Sequence, residues 1–166
     1  EGRHLSLHDT TEDFADTLAE QAGEYLVDRV KQDIQIPETT RLAIVKARIG
    51  QGIFREEVAK VERHCRLTGV EDRDHLVASH IKPWATSDNE ERLNGHNGLF
   101  LSPHVDKLFD SGFISFDNNG EILVSPSLDK NVLDRWSIDP QSKVKTFGGE
   151  QAYFLETHRR AVFRAA

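Results

Sequence analysis

The sequence predicts an α+β fold in which a strand, strand and helix core is extended by a β-hairpin and flanked by helices. Leu76–Ile81 and Gly98–Leu101 are short apolar runs of the kind that form strands. Ser102-Pro103 follows the second run directly, and this pair is typical of the start of a helix. Further along, Asn119-Gly120 lies between two more apolar runs, which is the pattern of a hairpin turn.

The chain before this core is predicted to be helical. Thr11–Ile34 has apolar residues at helical spacing, and Pro37 marks a boundary after it. We therefore predict an acidic helical segment over residues 1–40 and a second domain over 41–166, with its core at 65–126. The apolar stripe of the first segment either packs internally or meets a partner.

The second domain is predicted to begin with a helix or an irregular approach over Arg41–Gly50. The triplet Gly50-Gln51-Gly52 predicts its end, because glycine lowers helix propensity. A further helix is predicted over Ile53–His64.

The elements after the second strand follow from turn and cap residues. The helix that starts at Pro103 is predicted to reach about Asp110 and to stop at Ser111-Gly112, where glycine suits a left-handed cap. The hairpin is predicted from Phe113–Phe116 and Glu121–Val124, and two last helices from 126–136 and 151–165.

Composition limits the class of protein. The chain has 166 residues, a net charge of −7 and one cysteine, which excludes an intramolecular disulfide and favours a reducing cytoplasm. No apolar run reaches transmembrane length, so no membrane partner is expected. Residues 41–82 carry nine basic and six acidic residues, so a locally basic segment leads into the core. Such segregation permits a side that faces DNA.

Polar residues at the edges of the core elements predict a hydrolytic site. Asp106 and Asp110 are four residues apart and share a helix face. Two carboxylates suit a hard divalent cation such as Mg²⁺. His80 is a side chain that can act as a base near neutral pH, provided that a carbonyl or Asn97 holds its second ring nitrogen.

The segments 78–84 and 97–110 resemble the HNH endonucleases, which belong to the ββα-metal nuclease superfamily. The resemblance implies a ββα-metal core with His80 as the base that deprotonates water. It implies that Asn97 ties down the loop and orients His80. The third motif position falls on Asp106, although His104 completes a literal H–N–H, and Asp110 matches a further ligand position.

The chain departs from the family pattern at three places. Ser79 stands where many relatives carry a metal ligand immediately before the catalytic histidine. Aspartate in place of histidine at Asp106 favours Mg²⁺ or Mn²⁺ over Zn²⁺. Many relatives also hold a structural zinc with paired cysteines, and Cys65 alone cannot form that site.

Several basic and polar residues are candidates for contact with DNA. Lys82 and Lys107 are near the motif in sequence and could touch a phosphate. The more distant candidates either bind phosphate or form a solvated face. They are Arg48, Gln51, Arg55, Arg159 and Arg160.

The sequence thus predicts a metal-dependent DNA endonuclease of a bacterial restriction or defence system. Ser79 motivates an alternative, a non-catalytic nucleic-acid-binding module with a degenerate site. A third class is a protein-interaction domain that uses the acidic N-terminal helix. A homodimer, or an additional domain or subunit for target recognition, is also expected.

Overall fold

The computed structural model describes Gln32 and residues 37–165. The chain divides into two compact units, Glu1–Gln51 and Gly52–Ala166. Apart from Gln32, the predicted helix over Thr11–Ile34 lies outside the described residues, and so does most of the predicted acidic segment. Within the described part, no helix is long and apolar enough to cross a membrane.

The first helix, α1, spans Glu38–Val61 without a break. The predicted end at Gly50-Gln51-Gly52 is therefore wrong. Two glycines in a helix interior cost about 1 kcal/mol each relative to alanine, which other helical residues can offset. Downstream of them Phe54 and Val58 are buried, so core packing favours helix through this stretch.

The central strands are β1 at Val77–His80 and β2 at Gly98–Leu101, and they pair antiparallel. The register places Val77 opposite Leu101 and His80 opposite Gly98. Helix α2 follows at Pro103–Asp110 and packs on both strands. This strand, strand and helix order confirms the predicted α+β core.

The two ends of α2 show one expected cap and one different arrangement. Gly112 has a φ of 73° and its N–H donates to the carbonyl of Phe109, which confirms the left-handed cap. Ser102 holds the N-cap position but makes no side-chain cap bond. Its hydroxyl instead lies 2.7 Å from that of Thr68, which joins the turn after Cys65 to the start of α2.

The predicted hairpin is also present, as β3 at Ile114–Phe116 paired antiparallel with β4 at Ile122–Val124. Its turn has Gly120 at a φ of 89°. Two helices complete the described chain, α3 at Lys130–Arg135 and α4 at Gly149–Ala161. The last helix begins at Gly149, before the predicted start at 151, and ends at Ala161, before the predicted end at 165.

Helix α4 is joined to the rest of its unit by two buried polar groups. Gln151 donates to the carboxylate of Glu62 at 2.7 Å, and Arg66 forms an ion pair with the same carboxylate. Further along, His158 stacks on Phe109 with ring centroids 3.9 Å apart. Its Nε2 donates to the Phe109 carbonyl at 3.1 Å, and its Nδ1 accepts from the hydroxyl of Ser115 at 3.0 Å.

Burial lowers the pKa of His158 to about 4, against smaller opposing effects of the Phe109 carbonyl and the Asp110 carboxylate; Arg159 lowers it further. The unfolded chain therefore binds more protons than the folded chain between pH 6.5 and pH 4. We expect stability to fall over this window as the pH falls, by on the order of 3 kcal/mol from His158 alone. Denaturant unfolding of the wild type and His158→Gln at pH 7 and pH 4 measures this contribution. A loss of stability equal in both proteins would contradict it.

The start of β2 allows a close approach by α1. A Cβ at Gly98 would lie 2.3 Å from Cγ2 of Val58 and 2.8 Å from Cζ of Phe54. We expect Gly98→Ala to lower the free energy of unfolding by about 1–3 kcal/mol, because it overpacks this contact. Gly52→Ala is the matched control, since no atom lies within 4 Å of its added Cβ and helix propensity favours alanine. Equal effects of the two substitutions in thermal unfolding would show that the close approach does not matter.

Candidate active site

The last residue of β1, His80, has one ring nitrogen held by the protein. Its Nε2 lies 3.1 Å from the carbonyl oxygen of Arg92. Because a carbonyl only accepts, Nε2 carries the proton and Nδ1 keeps its lone pair. Within the described part of the chain, Nδ1 has no hydrogen-bond partner. Burial lowers the pKa of His80, against a smaller raising effect of the Arg92 carbonyl, so the imidazole is neutral at pH 7.

The plane of the His80 ring is fixed by two aromatic contacts. Phe54 stacks on it with centroids 3.6 Å apart and an interplanar angle of 9°. Trp84 meets it edge-on at 5.6 Å and 83°. Phe54 can reach this position because Gly98, the partner of His80 in the sheet, has no side chain. The base is thus oriented by packing as well as by its hydrogen bond.

Asn97 is fully buried and closes the loop between the strands. Its Oδ1 accepts from the backbone N–H of Lys82 at 2.8 Å, and its Nδ2 donates to the carbonyl of Glu91 at 3.0 Å. Asn97 makes no described hydrogen bond with His80. It fixes Glu91, and the next carbonyl along the chain, that of Arg92, is the one that holds His80. The geometry therefore supports the predicted tie of the loop, with any effect on His80 being indirect.

The carboxylate of Asp106 is half-buried on the face of α2 that meets β1. Burial raises its pKa, a hydrogen bond from the Ser79 side chain opposes this, and the Asp110 carboxylate raises the pKa further. Asp110 itself is exposed. Two carboxylates that repel each other would be stabilised by a cation between them.

Asp106 and Asp110 suit a divalent metal ion that needs only one or two protein ligands. Among residues 37–165, no three His, Cys, Asp or Glu side chains are grouped so that they could hold a metal. Mg²⁺ commonly takes only one or two carboxylates and completes its shell with waters and phosphate oxygens. The two aspartates suit that mode, whereas Zn²⁺ is usually held by at least three protein ligands. Ser79 is buried, and its side chain is engaged by Asp106.

The accessory candidates have different surroundings. Lys82 forms an ion pair with Glu91, and both side chains are only 18% exposed. This contact raises the pKa of Lys82 and lowers that of Glu91. Lys107 is exposed on α2. His104 lies against Trp136, with ring centroids 5.8 Å apart, and being two residues from Asp106 it projects from another side of the helix.

Most of the distant basic candidates have partners within the protein. Arg55 donates to the carbonyls of Arg73 and Leu76 in the approach to β1. Arg159 donates to the carbonyl of Phe116 and to Asn118. These two guanidinium groups therefore make hydrogen bonds within the fold, and their contact with DNA stays a prediction. The others are exposed: Arg160, which is 3.6 Å from Glu156, and Arg48 and Gln51, which belong to the unit Glu1–Gln51.

Three residues of the site were not identified from the sequence. Phe54 follows Gly50-Gln51-Gly52, and nothing in the sequence distinguishes it from other apolar residues that pack in the core. Glu91 and Arg92 lie in a charged loop that resembles a solvated turn. No local pattern signals their contacts with His80 and Lys82, because these partners are at least nine residues away along the chain.

The comparison with known families agrees with this geometry. The family model described as HNH endonuclease matches residues 65–117, which include both strands and α2. No curated protein matches the chain. The matched segment contains His80 at the end of β1, the buried Asn97, and helix α2 with Asp106 and Asp110. Residues 65–117 of this chain are therefore similar to the HNH endonuclease family, as the sequence predicted.

Proposed function

We propose that the protein is a metal-dependent endonuclease that hydrolyses phosphodiester bonds in DNA. The single observation that carries this proposal is the arrangement of His80. Its Nε2–H is held by the Arg92 carbonyl, its ring is held by Phe54, and its Nδ1 lone pair is available. A neutral, oriented imidazole is what a general base requires.

In the proposed mechanism, Nδ1 of His80 takes a proton from a water molecule as the water oxygen bonds to phosphorus. The bond from phosphorus to the leaving oxygen breaks, and solvent returns a proton to that oxygen. The Arg92 carbonyl stabilises the imidazolium that forms, because it still accepts from Nε2–H. Asn97 holds the backbone that carries this carbonyl.

Asp106 and Asp110 would hold the metal ion, with Mg²⁺ or Mn²⁺ as the expected ion. When bound, such an ion offsets negative charge on the phosphate and on the leaving oxygen. The Ser79 side chain fixes the Asp106 carboxylate and is not itself expected to be a strong ligand. A restriction or defence role in the bacterial cytoplasm, and a homodimer or further subunit for target recognition, complete the proposal.

The alternative is a nucleic-acid-binding module without catalysis. The buried Ser79 favours it, because a hydroxyl replaces a stronger ligand and leaves two carboxylates as the charged ligands. The cleavage experiment below separates the two functions.

We expect purified protein to nick or linearise plasmid DNA in Mg²⁺ or Mn²⁺ but not in EDTA, with weaker activity in Zn²⁺. His80→Ala should lower the rate by about 10²–10⁴-fold, the usual contribution of a general base. DNA binding by the variant, measured by fluorescence anisotropy, should be retained. Cleavage that continues unchanged in His80→Ala would remove His80 as the base. Absence of cleavage by the wild type in every metal, with DNA binding intact, would establish the binding module instead.

We expect Asp106→Asn to raise the Mg²⁺ concentration needed for half-maximal cleavage by about tenfold or more, since one charged ligand is lost. Asp110→Asn should act in the same direction. The matched control is Asp134→Asn, which removes an exposed helical carboxylate from α3. Titration of cleavage rate with Mg²⁺ measures all three. If the three curves coincide with that of the wild type, the metal is held elsewhere.

A further inference from the structure

Arg92 has a side chain that is held in place by its own loop. Its Nε donates to the carbonyl of Trp84 at 3.2 Å, and its Nη1 donates to Oδ1 of Asn89 at 3.2 Å. The guanidinium carbon lies 4.9 Å from the centre of the Trp84 ring. Three contacts therefore fix the guanidinium before any ligand arrives, which reduces the entropy lost on binding.

The positive charge of Arg92 is not neutralised by these contacts. Both hydrogen-bond acceptors are neutral, and among the residues that the structure describes no carboxylate is within ion-pair distance of the guanidinium. Lys82, the other cation of this loop, is paired with Glu91. Nη2 of Arg92 has no acceptor in the described part of the protein, so its donors are available to an anion.

The guanidinium of Arg92 is adjacent to the proposed base. The backbone carbonyl of Arg92 accepts a hydrogen bond from His80. The Trp84 ring contacts both residues: it lies against the Arg92 guanidinium and meets the His80 ring edge-on. Trp84 is 37% exposed, so the group lies at the surface. Asp88 and Glu90 are exposed in the same loop, and their negative charges repel an approaching nucleic acid. A fixed cation in this loop would offset part of that repulsion.

We propose that Arg92 binds a backbone phosphate of the nucleic acid beside the phosphodiester that His80 attacks, with Trp84 as the platform that holds the guanidinium. This inference rests on the proposed function for the identity of its ligand. The available donors of a planar guanidinium match phosphate oxygens. A nucleobase stacked on Trp84 is less favoured, because the guanidinium already covers one face of that ring.

The side chain and the backbone of Arg92 serve different purposes, and substitution can separate them. Arg92→Gln removes the charge but keeps the carbonyl that holds His80. The proposed phosphate contact is uniform binding, so its loss in this variant should raise KM more than it lowers kcat. Arg92→Lys keeps the charge, without the planar fork, and should recover part of the affinity.

The decisive measurement is the salt dependence of binding to a short DNA duplex, made in the His80→Ala background so that the DNA stays intact. Loss of one phosphate contact should reduce the slope of log K against log salt concentration by about 0.9. Arg135→Gln is the matched control, because it removes one exposed arginine charge at the end of α3. Its slope should equal that of the parent. Thermal unfolding of each variant confirms that the fold is kept.

The outcomes distinguish this inference from the proposed function. If the wild type cleaves DNA but Arg92→Gln leaves both the slope and KM unchanged, Arg92 does not bind phosphate and the nuclease stands. If no protein cleaves DNA but the slope falls only in Arg92→Gln, the phosphate contact stands and the nuclease fails. A wild type that neither binds nor cleaves DNA at low salt overturns both. Equal slope changes in Arg92→Gln and Arg135→Gln would also overturn the inference, because they would show a general charge effect.

Discussion

The site depends on the buried amide of Asn97. A loop that leaves β1 at His80 and returns at Gly98 has to satisfy its backbone groups away from the strand ladder. Asn97 does this from the end of the loop, by accepting from Lys82 and donating to Glu91. An amide can both accept and donate, which a carboxylate or a hydrocarbon of similar size cannot do. Asn97 thus helps to position the loop whose Arg92 carbonyl sets the tautomer of His80.

Packing adds a second constraint on the same histidine. Phe54 comes from helix α1, which precedes the motif, so the orientation of His80 depends on a segment outside the family match at 65–117. The absence of a side chain at Gly98 brings this helix close enough for a stacked contact. The geometry of the proposed site therefore depends on how α1 packs on the strand pair, as well as on the motif itself.

The sequence predicted the parts of the fold that have local causes. Pro103 at a helix start, Gly112 in a left-handed cap and Gly120 in the hairpin turn each act through their own backbone, and all three are found as predicted. The uninterrupted helix through Gly50 and Gly52 was missed, because packing beyond the glycines outweighs their propensity. Only the structure could show that Arg55 is bound to carbonyls about twenty residues away, or that Lys82 has an acidic partner.

The hydrogen bond between Thr68 and Ser102 has a consequence for how this domain tolerates its surroundings. It joins the turn after Cys65 to the start of α2 using two neutral hydroxyl groups, next to a buried thiol. Domains that close a comparable junction with a structural metal unfold when the metal is removed. Here two neutral hydroxyl groups make the junction, and Cys65, the one cysteine of the chain, can form no intramolecular disulfide there. Under the proposed function, removal of the metal from Asp106 and Asp110 would stop cleavage and leave this hydrogen bond in place.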